Sequence, residues 1–228
     1  MDKIYVPTKT PEDWKALLAE PNKQWKPGFS AMELAYCWEK ANGFPECVKK
    51  TFNNSGIPIF EKAELLFAFP EYRVRLPGGE RSSQNDIYVI AKGDGNLISI
   101  MVEGKVEESF DKTIFEWSNE ASLNSGKPER LHYLLDKLSL TNNQVQKIRY
   151  QLLHRAVSAI IEAERLGTKN ALMLIHSFSK SDNHFTDFEQ FVKLFGLTAV
   201  KNSIVGPYQT NGINVYFGWV CGRTVNPV

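Results

Sequence analysis

The chain has 228 residues, of which 43% are hydrophobic and 23% are charged, and this composition is that of an ordinary globular protein. Its formal net charge of +1 gives no overall signature of a nucleic-acid-binding protein. No apolar run reaches the roughly 18 residues that a membrane helix needs, so we expect no membrane partner. The N-terminal residues lack the apolar core of a secretory signal, and Cys37, Cys47 and Cys221 form no CxxC pair. We therefore expect a cytoplasmic protein with reduced thiols.

Charge is distributed unevenly along the chain. Acidic residues outnumber basic ones in residues 61–120, and the reverse holds in residues 121–228. An acidic segment suits a cation site, and a basic segment suits a polyanion. Segments of this length also acquire such imbalances by chance, so the two interpretations stay open.

The first elements predicted along the chain are helices, followed by strands. A short helix begins after Thr10, and a longer one begins at Ser30, where Ser30 and Glu33 fit a capping box. The segment "PECVKKTF" continues as a further helix. A strand is then predicted from Glu64 to Arg75, interrupted near Pro70, and the segments "DIYVIAK" and "NLISIMVEGK" form two strands joined by a tight turn.

The second half of the chain alternates helices and strands. Apolar spacing predicts a helix around Leu131–Leu138 and a long helix from about Asn142 to Leu166. The run "ALMLIHSF" is typical of a strand buried on both faces, "DFEQFVKLFG" of a helix, and one or two strands follow with Asn211-Gly212 as a turn. This order predicts one α/β domain over residues 1–228. Its central mixed sheet, a three-strand meander plus a crossover strand, is flanked by helices.

The hairpin within residues 84–107 carries the strongest functional pattern. An Asp-Gly pair favours a two-residue type I′ turn, and with Asp94-Gly95 in that turn Asp86 opposes Glu103. Lys105 lies on the same strand face as Glu103. Two opposed carboxylates destabilise a sheet unless a positive group lies between them, and Mg²⁺ typically binds one or two carboxylates. The hairpin therefore predicts a divalent-cation site.

A plainer interpretation of the same residues stays open. Glu-x-Lys spacing is common on exposed strand faces, where the two charges are simply solvated. With a three-residue turn, Asp86 would face Val102 and the charges would not converge.

The acid Asp86 at the start of one strand, with Glu103-Gly104-Lys105 on the next, resembles the active site of the PD-(D/E)XK nuclease superfamily. The N-terminal region is similar to an uncharacterised bacterial family grouped with these nucleases. The resemblance implies a restriction-endonuclease-like core over about residues 30–178. A helical extension over residues 1–29 would precede this core, and a helix and strand extension over residues 179–228 would follow it. The proline that the superfamily name places before the first acid is Asn85 here.

The resemblance also implies a function, that of a metal-dependent phosphodiester hydrolase. Asp86, Glu103 and the backbone carbonyl of Gly104 would bind Mg²⁺ or Mn²⁺, and Lys105 would orient the hydrolytic water. The substrate would be nucleic acid, with DNA favoured over RNA, and a double-strand cutter would act as a homodimer. The alternative is a catalytically silent nuclease-like fold that binds nucleic acid or protein.

Three further residues are auxiliary candidates within this resemblance. Glu33 would be an additional acid from the first helix, although the capping box with Ser30 is the favoured explanation for this residue. Gln151 and Arg155 share a polar stripe on the long helix, where they would contact a phosphate or a metal-bound water. A solvated helix face is the other explanation for that stripe.

Overall fold

The structure is a computed structural model that describes residues 7–122, 125–181 and 183–224. Within these residues the strands form one sheet, and they are β1 (Glu64–Val74), β2 (Ser83–Gly93), β3 (Asn96–Lys105), β4 (Asn170–Ser177), β5 (Ser203–Thr210) and β6 (Ile213–Cys221). A 3₁₀ helix spans Pro11–Leu17, and the α-helices are α1 (Pro21–Gln24), α2 (Ser30–Glu39), α3 (Glu46–Asn54), α4 (Pro58–Glu61), α5 (Ile114–Asn119), α6 (Lys127–Leu138), α7 (Asn142–Val145), α8 (Tyr150–Leu166) and α9 (Phe185–Lys193).

The sheet is mixed and open, with the strand order β1-β2-β3-β4-β6-β5. Strands β1, β2 and β3 form an antiparallel meander, and β4 returns through α8 to pair parallel with β3. Strand β6 is parallel to β4, and β5 closes the other edge antiparallel to β6. The α/β class and the predicted meander with a crossover strand are confirmed. No helix of the described residues is both long and apolar enough to cross a membrane.

Helices cover both faces of the sheet and create two apolar cores. On one face α6, α8 and α9 pack with side chains such as Leu152 and Phe191. On the other face α2 and α3 contribute Trp38 and Phe52. Strand β4 lies between the two cores and is buried along its whole length, as its continuous apolar run predicts.

Strand β1 continues through Pro70 to Val74, so the predicted interruption near Pro70 does not end the strand. It is a local irregularity, because the pairing with β2 passes from Pro70–Ile87 to Tyr72–Asn85 without a pair for Glu71, and a register shift lies between Leu65 and Phe67. Because β1 is an edge strand, a residue without a backbone N–H is tolerated on its outer side. Glu71, the next residue, has a φ of 53°, a left-handed conformation that is uncommon outside glycine.

The long helix predicted from Asn142 is also wrong, because it is two helices, α7 and α8. The backbone between them bonds to the segment that leads into α5. The N–H of Ile114 donates to the carbonyl of Ile148 (2.8 Å), and that of Tyr150 donates to the carbonyl of Lys112 (2.9 Å). These bonds replace the helical ones, so α8 begins afresh at Tyr150, at the edge of the candidate site.

The capping box predicted for Ser30 and Glu33 is not formed. Phe29 precedes the first turn of α2 and no side-chain cap is present, while Glu33 is buried with 1% of its surface exposed. The backbone N–H of Ser30 donates to a Glu108 carboxylate oxygen at 2.8 Å. A carboxylate distant in sequence therefore satisfies this end of α2, and a negative charge there is also favoured by the helix dipole.

Candidate active site

The register of the β2–β3 hairpin is the one that a two-residue turn at Asp94-Gly95 requires. Gly93 pairs with Asn96, and the ladder continues to the pair Ile87 and Val102. Because Val102 faces Ile87, the three-residue turn that would place it opposite Asp86 is excluded. Asp86 lies next along the strand, and its Oδ2 accepts a hydrogen bond from the backbone N–H of Gly104 at 2.7 Å.

A cavity of about 380 Å³ collects most of the predicted site residues. Its walls come from the meander, from the start of α2 and from the first turns of α8. The predicted residues in these walls are Asp86, Glu103, Lys105, Gln151 and Arg155. Glu33 is not among the lining residues, so the structure does not bring this auxiliary candidate into the site.

Glu103 is at the centre of the polar contacts in the cavity. It is 2% exposed, and its Oε1 accepts hydrogen bonds from Lys105 Nζ at 2.6 Å and from Gln151 Nε2 at 2.5 Å. Its Oε2 accepts a hydrogen bond from Arg155 Nε. Burial alone would raise the pKa of Glu103, but the positive charges of Arg155 and Lys105 outweigh burial and hold that pKa below its usual value. Glu103 is therefore ionised at neutral pH.

Asp86 has the opposite electrostatic balance. Burial within the cavity, and then the charge of Glu103, raise the pKa of Asp86 to about 7. The nearby cations and the N–H of Gly104 only partly offset these effects. Near neutral pH this carboxyl group therefore holds a proton that a cation bound in the cavity would displace.

Glu71 is a third acid of the cavity that the sequence analysis missed. The pairs Pro70–Ile87 and Tyr72–Asn85 place it opposite Asp86 on the neighbouring strand. Its Oε2 accepts a hydrogen bond from Gln84 Nε2 at 2.6 Å. Burial, and then the charge of Asp86, raise its pKa to about 8. In the sequence, Glu71 is marked only as an acid within a largely apolar strand. Its position opposite Asp86 depends on the β1–β2 register, which the sequence pattern does not give.

Of the two polar atoms in the side-chain amide of Gln151, only Nε2 has a hydrogen-bond partner among the described residues. Its Nε2 faces the Glu103 carboxylate, which requires a donor and so fixes the orientation of the amide. Among the described residues, no group lies within hydrogen-bond distance of its buried Oε1. A buried acceptor of this kind is costly unless a ligand, an ion or a water satisfies it.

Arg155 is held on its other side by a hydroxyl network. Its Nη1 donates to Ser83 Oγ at 3.1 Å, and Ser83 Oγ also lies 2.8 Å from His154 Nδ1. Burial, and then the charge of Arg155, lower the pKa of His154 well below its usual value, so this histidine is neutral. The guanidinium is thus held between Ser83 on β2 and Glu103 on β3. The Ser83 hydroxyl and the neutral His154 add no charge beside it.

Comparison with known proteins gives one match. The family described as "Domain of unknown function (DUF6946)" matches residues 7–224. The chain belongs to this family. No curated protein and no solved structure matches the chain. The region that defines the DUF6946 family includes every strand described above and all side chains that line the cavity.

Gly104, between Glu103 and Lys105, allows α2 of this DUF6946 member to approach β3 closely. A Cβ atom at this position would lie 2.4 Å from Leu34 Cδ1 and 3.1 Å from Ser30 Cβ. The glycine therefore permits the start of α2 to form one wall of the cavity, directly beside the two charged residues.

The donor atoms of the cavity suit a hard divalent cation. They are carboxylate and amide oxygens from Glu71, Asp86, Glu103 and Gln151, the ligand type that Mg²⁺ and Mn²⁺ prefer. Within the described part of the chain, no three carboxylates place an oxygen within 4.8 Å of one another.

A second cavity of about 420 Å³ adjoins the first and shares Gln84 and Arg155 with it. Basic side chains outnumber acidic ones in its walls. The basic ones are Arg81, Lys112, Lys127, Arg130 and Arg155, and the acidic ones are Asp111 and Glu120. The rings of Trp117 and Tyr150 stack in the same wall with centroids 4.2 Å apart. The acidic site therefore continues into a basic surface that includes two partly buried aromatic rings.

Proposed function

We propose that this protein is a metal-dependent phosphodiester hydrolase with a restriction-endonuclease-like core. The observation that supports this most directly is the convergence of Asp86, Glu103 and Lys105 at one end of a hairpin, inside a cavity. The order of helix, meander, helix and parallel strand from α2 to β4 agrees with that fold.

Mg²⁺ or Mn²⁺, held by Asp86, Glu103 and the carbonyl of Gly104, would lower the pKa of a bound water and neutralise charge on the phosphate. Two observations agree with a cation there. The raised pKa of Asp86 indicates a carboxyl group that lacks sufficient positive charge in its surroundings. The open Oε1 of Gln151 is an acceptor that faces no protein donor within the described residues.

The remaining side chains have distinct roles in the proposed reaction. The ammonium group of Lys105, 2.6 Å from Glu103, orients the attacking water and stabilises charge on a phosphoryl oxygen. The guanidinium of Arg155 lies between the two cavities and binds a phosphate oxygen there. The basic second cavity holds the adjoining nucleic-acid strand, with DNA favoured over RNA. Cleavage of both strands would require a homodimer.

A second candidate function is supported by one specific observation. Lys105 and Arg155 already neutralise the buried Glu103 carboxylate, so this part of the cluster is balanced without a metal. The same fold would then serve as a nucleic-acid or protein binding module without turnover.

Calorimetric titration with Mn²⁺ and Mg²⁺ separates the two functions. It compares the wild type with Asp86→Asn, which keeps the acceptor for the Gly104 N–H and removes the charge. The matched control is Asp94→Asn, the same change in the exposed turn at the other end of the hairpin. Each protein is then incubated with plasmid DNA and with a structured RNA. We expect binding and cleavage by the wild type and by Asp94→Asn, and neither by Asp86→Asn.

Lys105→Met tests the chemical step separately from metal binding. The methionine keeps the apolar contact with Phe110, whose ring centroid lies 5.0 Å from Lys105 Nζ. We expect metal binding to persist and cleavage to fall by about 100-fold or more. Cleavage at the wild-type rate would refute the role of Lys105. Nucleic-acid retention without metal binding by any of the proteins would support the binding module instead.

A further inference from the structure

A second polar cluster lies away from the cavity, where α2, α3 and β4 meet. Its members are Cys37, Cys47 and His176, whose sulfur and nitrogen atoms all lie within 4.8 Å of one another. His176 is completely buried, and the two cysteines are partly exposed. The two cysteines thus lie nearer the surface than the imidazole, which is fully enclosed.

The tautomer of His176 follows from its neighbour Trp38. The indole N–H of Trp38 donates to His176 Nδ1 at 3.1 Å. An indole nitrogen is only a donor, so Nδ1 is an acceptor and carries no proton. The neutral ring then has its proton on Nε2, which lies 3.5 Å from Cys47 Sγ. His176 therefore presents an N–H to the sulfur of Cys47.

This tautomer argues against a zinc site. A histidine that binds a metal normally donates its other ring N–H to an acceptor. In His176 the other nitrogen accepts from Trp38, so coordination through Nε2 would leave the ring with no proton on either nitrogen. The arrangement suits a thiolate that receives hydrogen bonds much better than it suits a cation.

The groups around the two sulfurs distinguish them electrostatically. A hydrogen bond from the Cys37 thiol, followed by His176 and the backbone N–H of Val48, holds the pKa of Cys47 well below its usual value, although burial opposes this. Donation to Cys47, burial and the nearby charge of Glu33 raise the pKa of Cys37. Cys47 is thus the anionic sulfur of the pair, and Cys37 is the protonated one.

We propose that Cys47 is a nucleophilic thiolate that reacts with hydrogen peroxide, and that Cys37 resolves the product as an intramolecular disulfide. The Cys47 sulfur attacks one peroxide oxygen, the S–O bond forms, the O–O bond breaks and hydroxide leaves. The Cys37 sulfur then attacks the Cys47 sulfenic acid, the S–S bond forms, and the departing oxygen leaves as water with the Cys37 proton. Both sulfurs are oxidised and one peroxide is reduced. This site needs neither the metal nor the nucleic acid of the proposed hydrolase.

Mass spectrometry of the full chain after treatment with hydrogen peroxide tests the two steps. We expect the wild type and a Cys221→Ser control to form the Cys37–Cys47 disulfide. We expect Cys37→Ser to stop at a sulfenic acid on Cys47 that dimedone traps, and Cys47→Ser to form neither product. Oxidation of Cys37→Ser at no faster a rate than the urea-unfolded chain would overturn the proposal.

The pH dependence of alkylation by iodoacetamide provides a second test. A Cys37→Ser/Cys221→Ser variant retains Cys47 alone, and serine keeps a donor at position 37. We expect a nearly constant rate between about pH 5.5 and 7.5 in the folded variant, and a rise of about tenfold per pH unit when it is unfolded in urea. A tenfold rise in the folded variant would refute the thiolate. If the wild type binds Zn²⁺ stoichiometrically and the bound ion blocks alkylation, the cluster is a metal site and the thiolate proposal is wrong.

Discussion

The ends of β3 and β4 carry two buried polar clusters, which lie on opposite faces of the sheet. Glu103 and Lys105 point toward α8, whereas His176, which pairs with Gly104, points toward α2 and α3. Successive residues of a strand face opposite sides, so a shift of one position separates the two sites. One end of the sheet thus carries both clusters, one on each face.

The two clusters are stabilised in different ways. Toward α8, the buried Glu103 is stabilised by two full positive charges, while the same cations only partly offset the burial of Asp86, and Gln151 Oε1 has no hydrogen-bond partner among the described residues. Toward α2 and α3, hydrogen bonds from Cys37 and His176 lower the pKa of Cys47 against the effect of burial. Whether a buried cluster suits a cation therefore depends on how many of its acceptor atoms have no donor, and not only on which residue types it contains.

Among the tests of this difference, the variant Glu103→Gln has the largest expected effect on stability. The change leaves Lys105 and Arg155, which are 4% and 6% exposed, without their carboxylate. Loss of one partner from a buried ion pair costs about 3–5 kcal/mol, so we expect a decrease of that size in the free energy of unfolding, measured with urea.

The matched control for that change is Glu80→Gln, which replaces an exposed glutamate of the loop before β2 and is expected to be nearly neutral. A double variant, Glu103→Gln/Arg155→Met, removes one of the two uncompensated cations and is expected to recover part of the loss. Equal stability of Glu103→Gln and the control would contradict the assignment of the cluster as a buried ion pair.

The pH dependence of the metal-free stability tests the raised pKa of Asp86. Folded Asp86 keeps its proton up to a pKa of about 7, whereas the unfolded carboxyl group loses it near pH 4. The folded state therefore loses stability as pH rises from about 4 to 7. Because the cavity admits solvent, we expect about 1–3 kcal/mol from this group.

Urea unfolding in a chelator at pH 5, 6, 7 and 8 measures this effect. Asp86→Asn should show a flatter profile than the wild type, while Asp94→Asn should follow the wild type. Added Mg²⁺ should recover stability at pH 8 in the wild type but not in Asp86→Asn. Parallel profiles for wild type and Asp86→Asn would show that this carboxyl group does not limit the metal-free fold.

The hairpin site was predictable because its geometry depends on few residues. A two-residue Asp-Gly turn fixes the pairing of every later position, so the relation of Asp86 to Glu103 follows from counting along the strands. Gln151 and Arg155 could also be predicted from the sequence, because helical spacing places both side chains on one face of the helix. The buried strand β4 was identified from its continuous apolar run for the same local reason.

Other features depend on contacts that no local pattern contains. Glu71 reaches the cavity only through the β1–β2 register and its left-handed backbone. The break before α8 arises from hydrogen bonds to residues 112–115. Cys47 and His176 are 129 positions apart in the sequence, so their contact requires α3 to pack against the centre of the sheet. Tertiary packing, and not propensity, determines each of these.

Trp38→Phe provides the smallest and most specific test of the contrast between the clusters. The change removes the N–H that fixes His176 and keeps an aromatic ring against Phe44, whose centroid lies 6.1 Å from that of Trp38. We expect the midpoint of the profile of Cys47 alkylation rate against pH to move up by about 0.4–1 pH unit, the value of one neutral hydrogen bond. Trp14→Phe is the matched control, because its indole N–H also bonds to α2, at Glu39 (2.7 Å), away from the sulfurs. If the two variants have the same alkylation midpoint, the tautomer of His176 does not control the Cys47 thiolate, and the contrast with the charge-stabilised Glu103 then rests on Cys37 alone.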